Sequence, residues 1–337
     1  MTDWHQCYAE SWRGDIVDEA FTHPAKMSRG LLSRILAHAF AEGWICKGDA
    51  VADPFGGIGS TGILGAYAGL RVTCVELEPR FVALAEENFA LHRDKWQLLG
   101  LPQPRIVQGD SRRLTEVVRE AAALVVSSPP YADISQSGGT KGLKSHGTGI
   151  TQGEACFSEY GKSKGQLGAM KPGDVDAVIS SPPFAGVTAT QDPNFLTTGE
   201  QGKRIPSKSN HADYGETPGQ LGRQKGDTFW TAAREIVAQC HAILRPGGHA
   251  IWVCKDFVRK GKRVQFSDDW LRLCEAAGFR LVCRHRAMLV REEQHADLFA
   301  GTVTKTKSRK SFFRRLAEKK GSPPIDHEDV ICLEASP

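Results

Sequence analysis

The chain has 337 residues, of which 40% are hydrophobic and 24% charged, and its net charge is only +4. That composition excludes collagenous and intrinsically disordered classes and allows one large α/β domain with insertions, or two small domains, around a sizeable core. No apolar run approaches the roughly 20 residues of a membrane span, and Asp3, His5 and Glu10 stand where a signal peptide would be apolar, so a cytoplasmic protein without membrane contact is expected.

Ser28 to Ala41 carries Leu31, Leu32, Ile35, Leu36, Ala39 and Phe40 at helical spacing. A short strand is expected from Asp49 to Pro54, a helix from Thr61 to Ala68, a strand from Arg71 to Glu76 and, through Pro79, a helix from about Phe81 to His92. A third strand at Arg105 to Gln108, a helix at Arg112 to Ala121 and a buried strand at Leu124-Val125-Val126 follow. This alternation predicts an α/β fold: a doubly wound, mostly parallel, Rossmann-like sheet.

From Ala132 to Gly226 the chain changes character, being rich in Gly, Ser, Thr, Lys and Gln with little periodicity. A segment that long without regular structure is usually functional or mobile. It also holds a tandem repeat. Tyr160-Gly161, Gly165-Gln166-Leu167-Gly168 and Gly173-Asp174 recur as Tyr214-Gly215, Gly219-Gln220-Leu221-Gly222 and Gly226-Asp227. The expected organisation is a core of residues 1–131 and 228–337 around a duplicated, irregular insert at 132–227, the candidate target-recognition region. Beyond it come a helix from Thr228 to Leu244 stopped by Pro246-Gly247-Gly248, a strand from Ala250 to Cys254, a helix from Asp268 to Ala277, and strands at Leu281 to Arg284 and Val330 to Leu333.

Charge is unevenly placed. Lys305, Lys307, Arg309, Lys310, Arg314, Arg315, Lys319 and Lys320 face a single acid, Glu318, so the rest of the chain is slightly acidic. With Phe312 and Phe313 interleaved, the run suits a phosphate backbone; the competing reading is a solvated helix face whose two Phe pack inward. The nine cysteines are scattered, with no Cys-x-x-Cys pair and no Cys/His cluster at zinc spacing. Reduced thiols and no metal are therefore expected.

Two motifs carry chemistry. Ser128-Pro129-Pro130-Tyr131 and Ser181-Pro182-Pro183-Phe184 each follow a short β-branched run, the second being Ala177-Val178-Ile179. A Pro-Pro pair cannot continue a strand, so each should form a stiff loop at a strand's carboxyl end, where open α/β sheets bind ligands. The other motif is the turn Asp53-Pro54-Phe55-Gly56-Gly57-Ile58-Gly59-Ser60-Thr61-Gly62, in which Gly57, Gly59 and Gly62 spell G-x-G-x-x-G, with Glu76 closing the next strand. Glu76 is placed to accept hydrogen bonds from ribose hydroxyls, and Asp53 could pair with a ligand ammonium, which a nicotinamide cofactor lacks and S-adenosylmethionine has. Alternatively the glycines serve only tight strand–helix packing.

On these residues the chain resembles the DNA amino-methyltransferases, which methylate exocyclic amino groups of cytosine or adenine. Asp53 to Gly62 is similar to the family's Asp-Pro-Phe-x-Gly-x-Gly-Thr cofactor motif, with Ser60-Thr61 where a Thr is usual. His23-Pro24-Ala25-Lys26 resembles the element that lies against the cofactor's methionine end. The resemblance extends over most of Phe21 to Phe279 and implies S-adenosylmethionine as cofactor, Glu76 on its ribose, Asp110 approaching its adenine, and duplex DNA as substrate. A cognate restriction endonuclease would be a natural partner.

An exocyclic amine is a poor nucleophile because its lone pair is delocalised into the ring. The Ser hydroxyl and a carbonyl near the prolines can accept hydrogen bonds from its two N–H groups and localise that pair, with no covalent intermediate. A duplex hides the target atom, so the base must be flipped out, with Tyr131 or Phe184 stacking on it. In the family, Ser at the first position of the tetrad usually goes with N4 of cytosine and Asp or Asn with adenine. Cytosine is thus favoured, with adenine the alternative. One sheet has one place beside the cofactor strand, and the strand–helix–strand connection favours Ser128 over Ser181. A nicotinamide-dependent oxidoreductase, a non-catalytic DNA-binding protein and an RNA methyltransferase remain rival readings.

Overall fold

The computed structural model describes residues 1–23, 26–118, 124–127, 177–180, 196–198, 204–206, 227–259, 261–297, 301–308, 318–319 and 321–336. The strands are β1 (Thr2–Trp4), β2 (Ala50–Asp53), β3 (Arg71–Glu76), β4 (Arg105–Gln108), β5 (Leu124–Ser127), β6 (Ala177–Ser180), β7 (Leu196–Thr198), β8 (Arg204–Pro206), β9 (His249–Cys254), β10 (Phe257–Arg259), β11 (Lys262–Val264), β12 (Phe279–Met288), β13 (Val290–Asp297), β14 (Gly301–Ser308) and β15 (His327–Ala335). The helices are α1 (Arg29–Ala41), α2 (Ser60–Tyr67), α3 (Pro79–Leu98), α4 (Leu114–Val117), α5 (Asp227–Ile243) and α6 (Phe266–Ala276).

Nine strands form one sheet in the order β1-β12-β15-β9-β5-β2-β3-β4, with β6 also pairing β2 and β9. Pairing is parallel except where β15 runs against β12 and β9, so the doubly wound, mostly parallel sheet expected from the sequence is present. The period-two alternation of its strands separates two cores. Val51, Val72, Cys74, Ile251, Val253 and Cys332 pack on one face with α1, α2 and α3 residues such as Leu31, Ile63 and Phe89. Ala50, Ala52, Val75, Ala250, Trp252 and Ile331 pack on the other with α5 and α6 residues such as Phe229, Ile236 and Trp270.

Several elements differ from the sequence reading. The expected helix at Arg112 to Ala121 begins as a 3-10 turn, Ser111–Arg113, and continues only as the four residues of α4, because Asp110 caps the tighter turn. β1 is too short to show periodicity and exists by pairing with β12. Within 132–227 the strand expected at Ala177 to Ile179 is present as β6 and pairs into the core sheet, while β7 and β8, which were not expected, pair antiparallel. The basic run begins in a strand, not on a helix face: Lys305 and Lys307 lie in β14, opposite Glu293 and Arg291 of β13. This ribbon joins β12 to β15 and leaves the sheet past Met288, which pairs with His327. Since Asp329 pairs with Cys254, the last residue of β9, the ribbon departs on the side of the parallel strands' carboxyl ends. Among the described residues no helix is long and apolar enough to cross a membrane.

Candidate active site at the strand ends

The carboxyl ends of β2, β3 and β4 are tied together by the turn after β2. Gly56 N–H donates to the Val75 carbonyl (2.8 Å), and Gly57 N–H donates to Glu76 Oε2 (2.9 Å). Gly109 N–H donates to the Glu76 carbonyl (2.9 Å), and the buried Ser111 hydroxyl donates to the Pro54 carbonyl. Asp53 is buried at the end of β2, where its Oδ1 accepts from Phe55 N–H (3.0 Å) and shapes the start of the turn.

Glu76 is the electrostatic centre. Oε2 takes the Gly57 N–H and Oε1 the Glu78 N–H, each at 2.9 Å. Burial pushes its pKa up to about 7, although the Glu78 and Gly57 N–H groups pull the other way. A carboxylate offers about four lone-pair sites, so beyond the backbone N–H groups of Glu78, Gly57 and Leu77 it keeps acceptor capacity for a ligand hydroxyl.

The glycines divide into two roles. Gly57 (φ +51°) lies against His23: a Cβ there would sit 3.2 Å from its Nε2. Gly59 (φ +79°) and Gly62 face Phe89 of α3, where added Cβ atoms would lie 2.6 Å from ring carbons. These two bring the start of α2 close onto α3, a helix–helix approach in place of the strand–helix packing named as the alternative. Thr61 is buried in the first turn of α2.

His23 is buried, edge-on to Phe81 with centroids 4.3 Å apart, and burial with the nearby Lys26 and Arg80 charges pushes its pKa down to about 3, so it is neutral. Lys26 Nζ donates to the Phe21 carbonyl (2.8 Å) and the His23 carbonyl (2.5 Å), and burial lowers its pKa to about 8. Lys26 thereby closes its own loop, whose Pro24 and Ala25 lie outside the described residues. Asp110 stands one residue beyond Gly109, beside the end of β3. Burial favours its neutral form, but hydrogen bonds from the Arg112 backbone and guanidinium outweigh that and hold its pKa low.

Sequence reasoning missed Ser111 and Asn88. Asn88 is buried in α3, donating to the Ile58 carbonyl inside the turn (2.9 Å) and accepting from Val17 N–H (2.8 Å). Its signal was a lone amide within the apolar stripe Phe81, Ala85, Phe89, Trp96.

Both Ser-Pro-Pro tetrads, Ser128 to Tyr131 and Ser181 to Phe184, lie outside the described residues, as do Arg309, Lys310, Arg314 and Arg315. The strands before the tetrads are described, and they share one position. Val125 and Val178 both partner Ala250, Val126 and Ile179 both partner Ile251, and Ser127 and Ser180 both partner Trp252. On the other side Leu124 pairs with Val51 and Val178 with Ala52. At the ordinary spacing of about 4.8 Å, the gap between two strands admits one strand at a time. The two copies are therefore register-equivalent occupants of a single slot, next to the strand that ends in Asp53.

Residues 3–87 match the family model described as DNA methylase (N6_N4_Mtase). That stretch holds the Asp53–Gly62 turn and Glu76 and ends before either tetrad. No curated protein matches the sequence. Similar solved structures include precorrin 8W decarboxylase of Methanobacterium thermoautotrophicum, with 12% identity, 94% of this chain and 96% of that chain covered, and a TM-score of 0.40. Magnesium protoporphyrin IX methyltransferase of Synechocystis PCC 6803 with bound S-adenosylhomocysteine has 9% identity, 91% and 83% coverage, and a TM-score of 0.39. A SAM-dependent methyltransferase of Methanosarcina mazei has 9% identity, 88% and 97% coverage, and a TM-score of 0.35. At such values the fold assignment rests on the strand order and register above.

Proposed function

We propose that the chain is an S-adenosylmethionine-dependent DNA methyltransferase acting on an exocyclic amino group of a flipped-out base, N4 of cytosine in preference to N6 of adenine. The observation that carries the reading is the join of Asp53, the Gly57 turn and Glu76 at the strand ends, directly beside the slot from which a Ser-Pro-Pro loop departs. The match of residues 3–87 to a DNA methylase family supports the same class.

The donors and acceptors present fit the cofactor. Glu76 keeps acceptor capacity for a ribose hydroxyl, and Asp53 supplies a carboxylate for the methionine ammonium. A dinucleotide fits less well. Its pyrophosphate needs the open flank of the second glycine of G-x-G-x-x-G, but that glycine, Gly59, abuts Phe89. When bound, S-adenosylmethionine supplies a methyl group on a sulfonium for direct transfer.

The chain's own work is positioning. The tetrad serine hydroxyl and a neighbouring carbonyl accept from the amine's two N–H groups, while Tyr131 or Phe184 stacks on the base. β5 and β6 hold the same register against β9, so Ser128 and Ser181 are alternative candidates for the catalytic serine, with Ser128 favoured. The β13–β14 ribbon, with Lys305 and Lys307, lies on the substrate side and contacts the phosphate backbone, together with Arg309, Lys310, Arg314 and Arg315.

Binding of labelled S-adenosylmethionine and of NAD to the purified chain, followed by methyl incorporation into duplex DNA, tests the proposal. Saturable binding of NAD alone, or salt-dependent DNA binding with no methylation of any duplex or RNA, would replace it with one of the rival readings. Long-read sequencing of DNA from expressing cells then gives the modified base and its motif together.

A further inference from the structure

Four metal-ligating side chains meet on the opposite half of the sheet. His38 comes from the last turn of α1, Cys283 and His285 alternate along one face of β12, and Cys332 of β15 is the register partner of Cys283. Their ligand atoms all lie within 4.8 Å of one another. Cys283 Sγ is 3.5 Å from His38 Nε2 and 3.1 Å from His285 Nε2, and the two Nε2 atoms are 3.3 Å apart. We infer that His38, Cys283, His285 and Cys332 form a structural site for one zinc ion.

The three separations among Cys283, His38 and His285, 3.1 to 3.5 Å, lie close to those of a tetrahedral zinc site. With Zn–S near 2.3 Å and Zn–N near 2.0–2.1 Å in a tetrahedron, neighbouring ligand atoms stand about 3.3 to 3.8 Å apart. The outer nitrogens are arranged for it as well. The Thr2 hydroxyl is 2.5 Å from His285 Nδ1, and Glu42 Oε1 is 3.8 Å from His38 Nδ1, so both rings turn Nε2 toward the centre. Trp4 stacks on His285 with centroids 4.3 Å apart, and Trp44 stands edge-on to His38 at 5.0 Å, which fixes the two rings.

Two thiolates and two imidazoles select zinc over the harder cations, and four protein ligands leave no open position for catalysis. The ion would tie α1 to β12 and β15 and, through Thr2, hold the three-residue edge strand β1. The cluster lies three to four strands from β2, about 14 to 19 Å at ordinary strand spacing, and is separate from the Glu76 site.

The full chain, purified without a metal-affinity tag and kept reduced, should contain one equivalent of zinc by plasma mass spectrometry. Replacing it with cobalt should give thiolate-to-cobalt charge-transfer bands and the visible bands of a tetrahedral ion. The Cys283→Ser/Cys332→Ser double variant should lose both. If that variant does not fold, chelation and cobalt reconstitution of the wild-type chain decide alone. Zinc at trace level with no cobalt bands after reconstitution overturns the site, as does full zinc retention by a folded double variant. A Cys283–Cys332 disulfide that persists in reduced, zinc-supplied protein overturns it equally.

Discussion

Competition between β5 and β6 for one slot has a magnitude. The flanking strands, Ala50–Asp53 and His249–Cys254, are almost wholly buried, so the slot rewards apolar content. Leu124-Val125-Val126 carries two more carbon atoms than Ala177-Val178-Ile179, about 1.6 kcal/mol at about 0.8 kcal/mol per buried carbon. Filling the slot with β6 lengthens the connection from β4 and shortens that to α5, which together cost β6 roughly 0.7 kcal/mol of loop closure. β5 should therefore hold the slot by about 2 kcal/mol, roughly thirtyfold. In a methyl-transfer assay Ser181→Ala should keep nearly full activity and Ser128→Ala should keep a few per cent, the share still delivered by β6. Leu124→Ala removes the advantage of β5, so Leu124→Ala/Ser128→Ala should be roughly tenfold more active than Ser128→Ala alone. A double variant no more active than Ser128→Ala would refute exchange in the slot. Loss of activity in Ser181→Ala with Ser128→Ala unaffected would reverse the assignment.

Four further outcomes follow from the structure. Methylthioadenosine, which keeps the ribose but lacks the α-amino group, should bind about tenfold more tightly at pH 8 than at pH 6 by calorimetry, because the Glu76 carboxyl ionises around 7; Glu76→Gln should flatten that dependence. The same raised pKa means that the stability contributed by the Glu76 proton is present below pH 4.5 and lost as pH rises through about 7, so Glu76→Gln should raise the midpoint of thermal unfolding more at pH 8 than at pH 4. Gly62→Ala gains helix propensity but drives a Cβ to within 2.6 Å of Phe89; denaturant melts should show a net loss of about 0 to 2 kcal/mol that becomes a gain in a Phe89→Leu background. Neutralising Lys305 and Lys307 together should lower the slope of log affinity for duplex DNA against log salt by about 2, with no change in the methylated motif.

The elements legible in the sequence were those whose apolar period runs long enough to declare itself. β3 and β4 fall on the residues expected, and α1, α2, α5 and α6 agree within about two residues. What escaped was decided by partners distant in the chain. β1 has three residues and no pattern of its own, and the register that pairs β6 with β2 and β9 is not written in its own residues, although the strand itself was expected there. At the strand ends, Asp53, Glu76 and the Gly turn were readable because the constraints are local, whereas Ser111 and Asn88 act through carbonyls at positions 54 and 58 that no motif encodes. The cysteines show the same limit most sharply. Zinc spacing in a sequence presupposes ligands in neighbouring turns, but here the antiparallel register of β12 and β15 brings Cys332 to Cys283, and α1 adds His38 from the start of the chain. Cys283-Arg284-His285 was the one local trace, meaningful only once the segment is known to be a strand, since alternation then turns both side chains to one face. A cluster assembled by sheet register is thus invisible to motif spacing and follows directly from strand pairing.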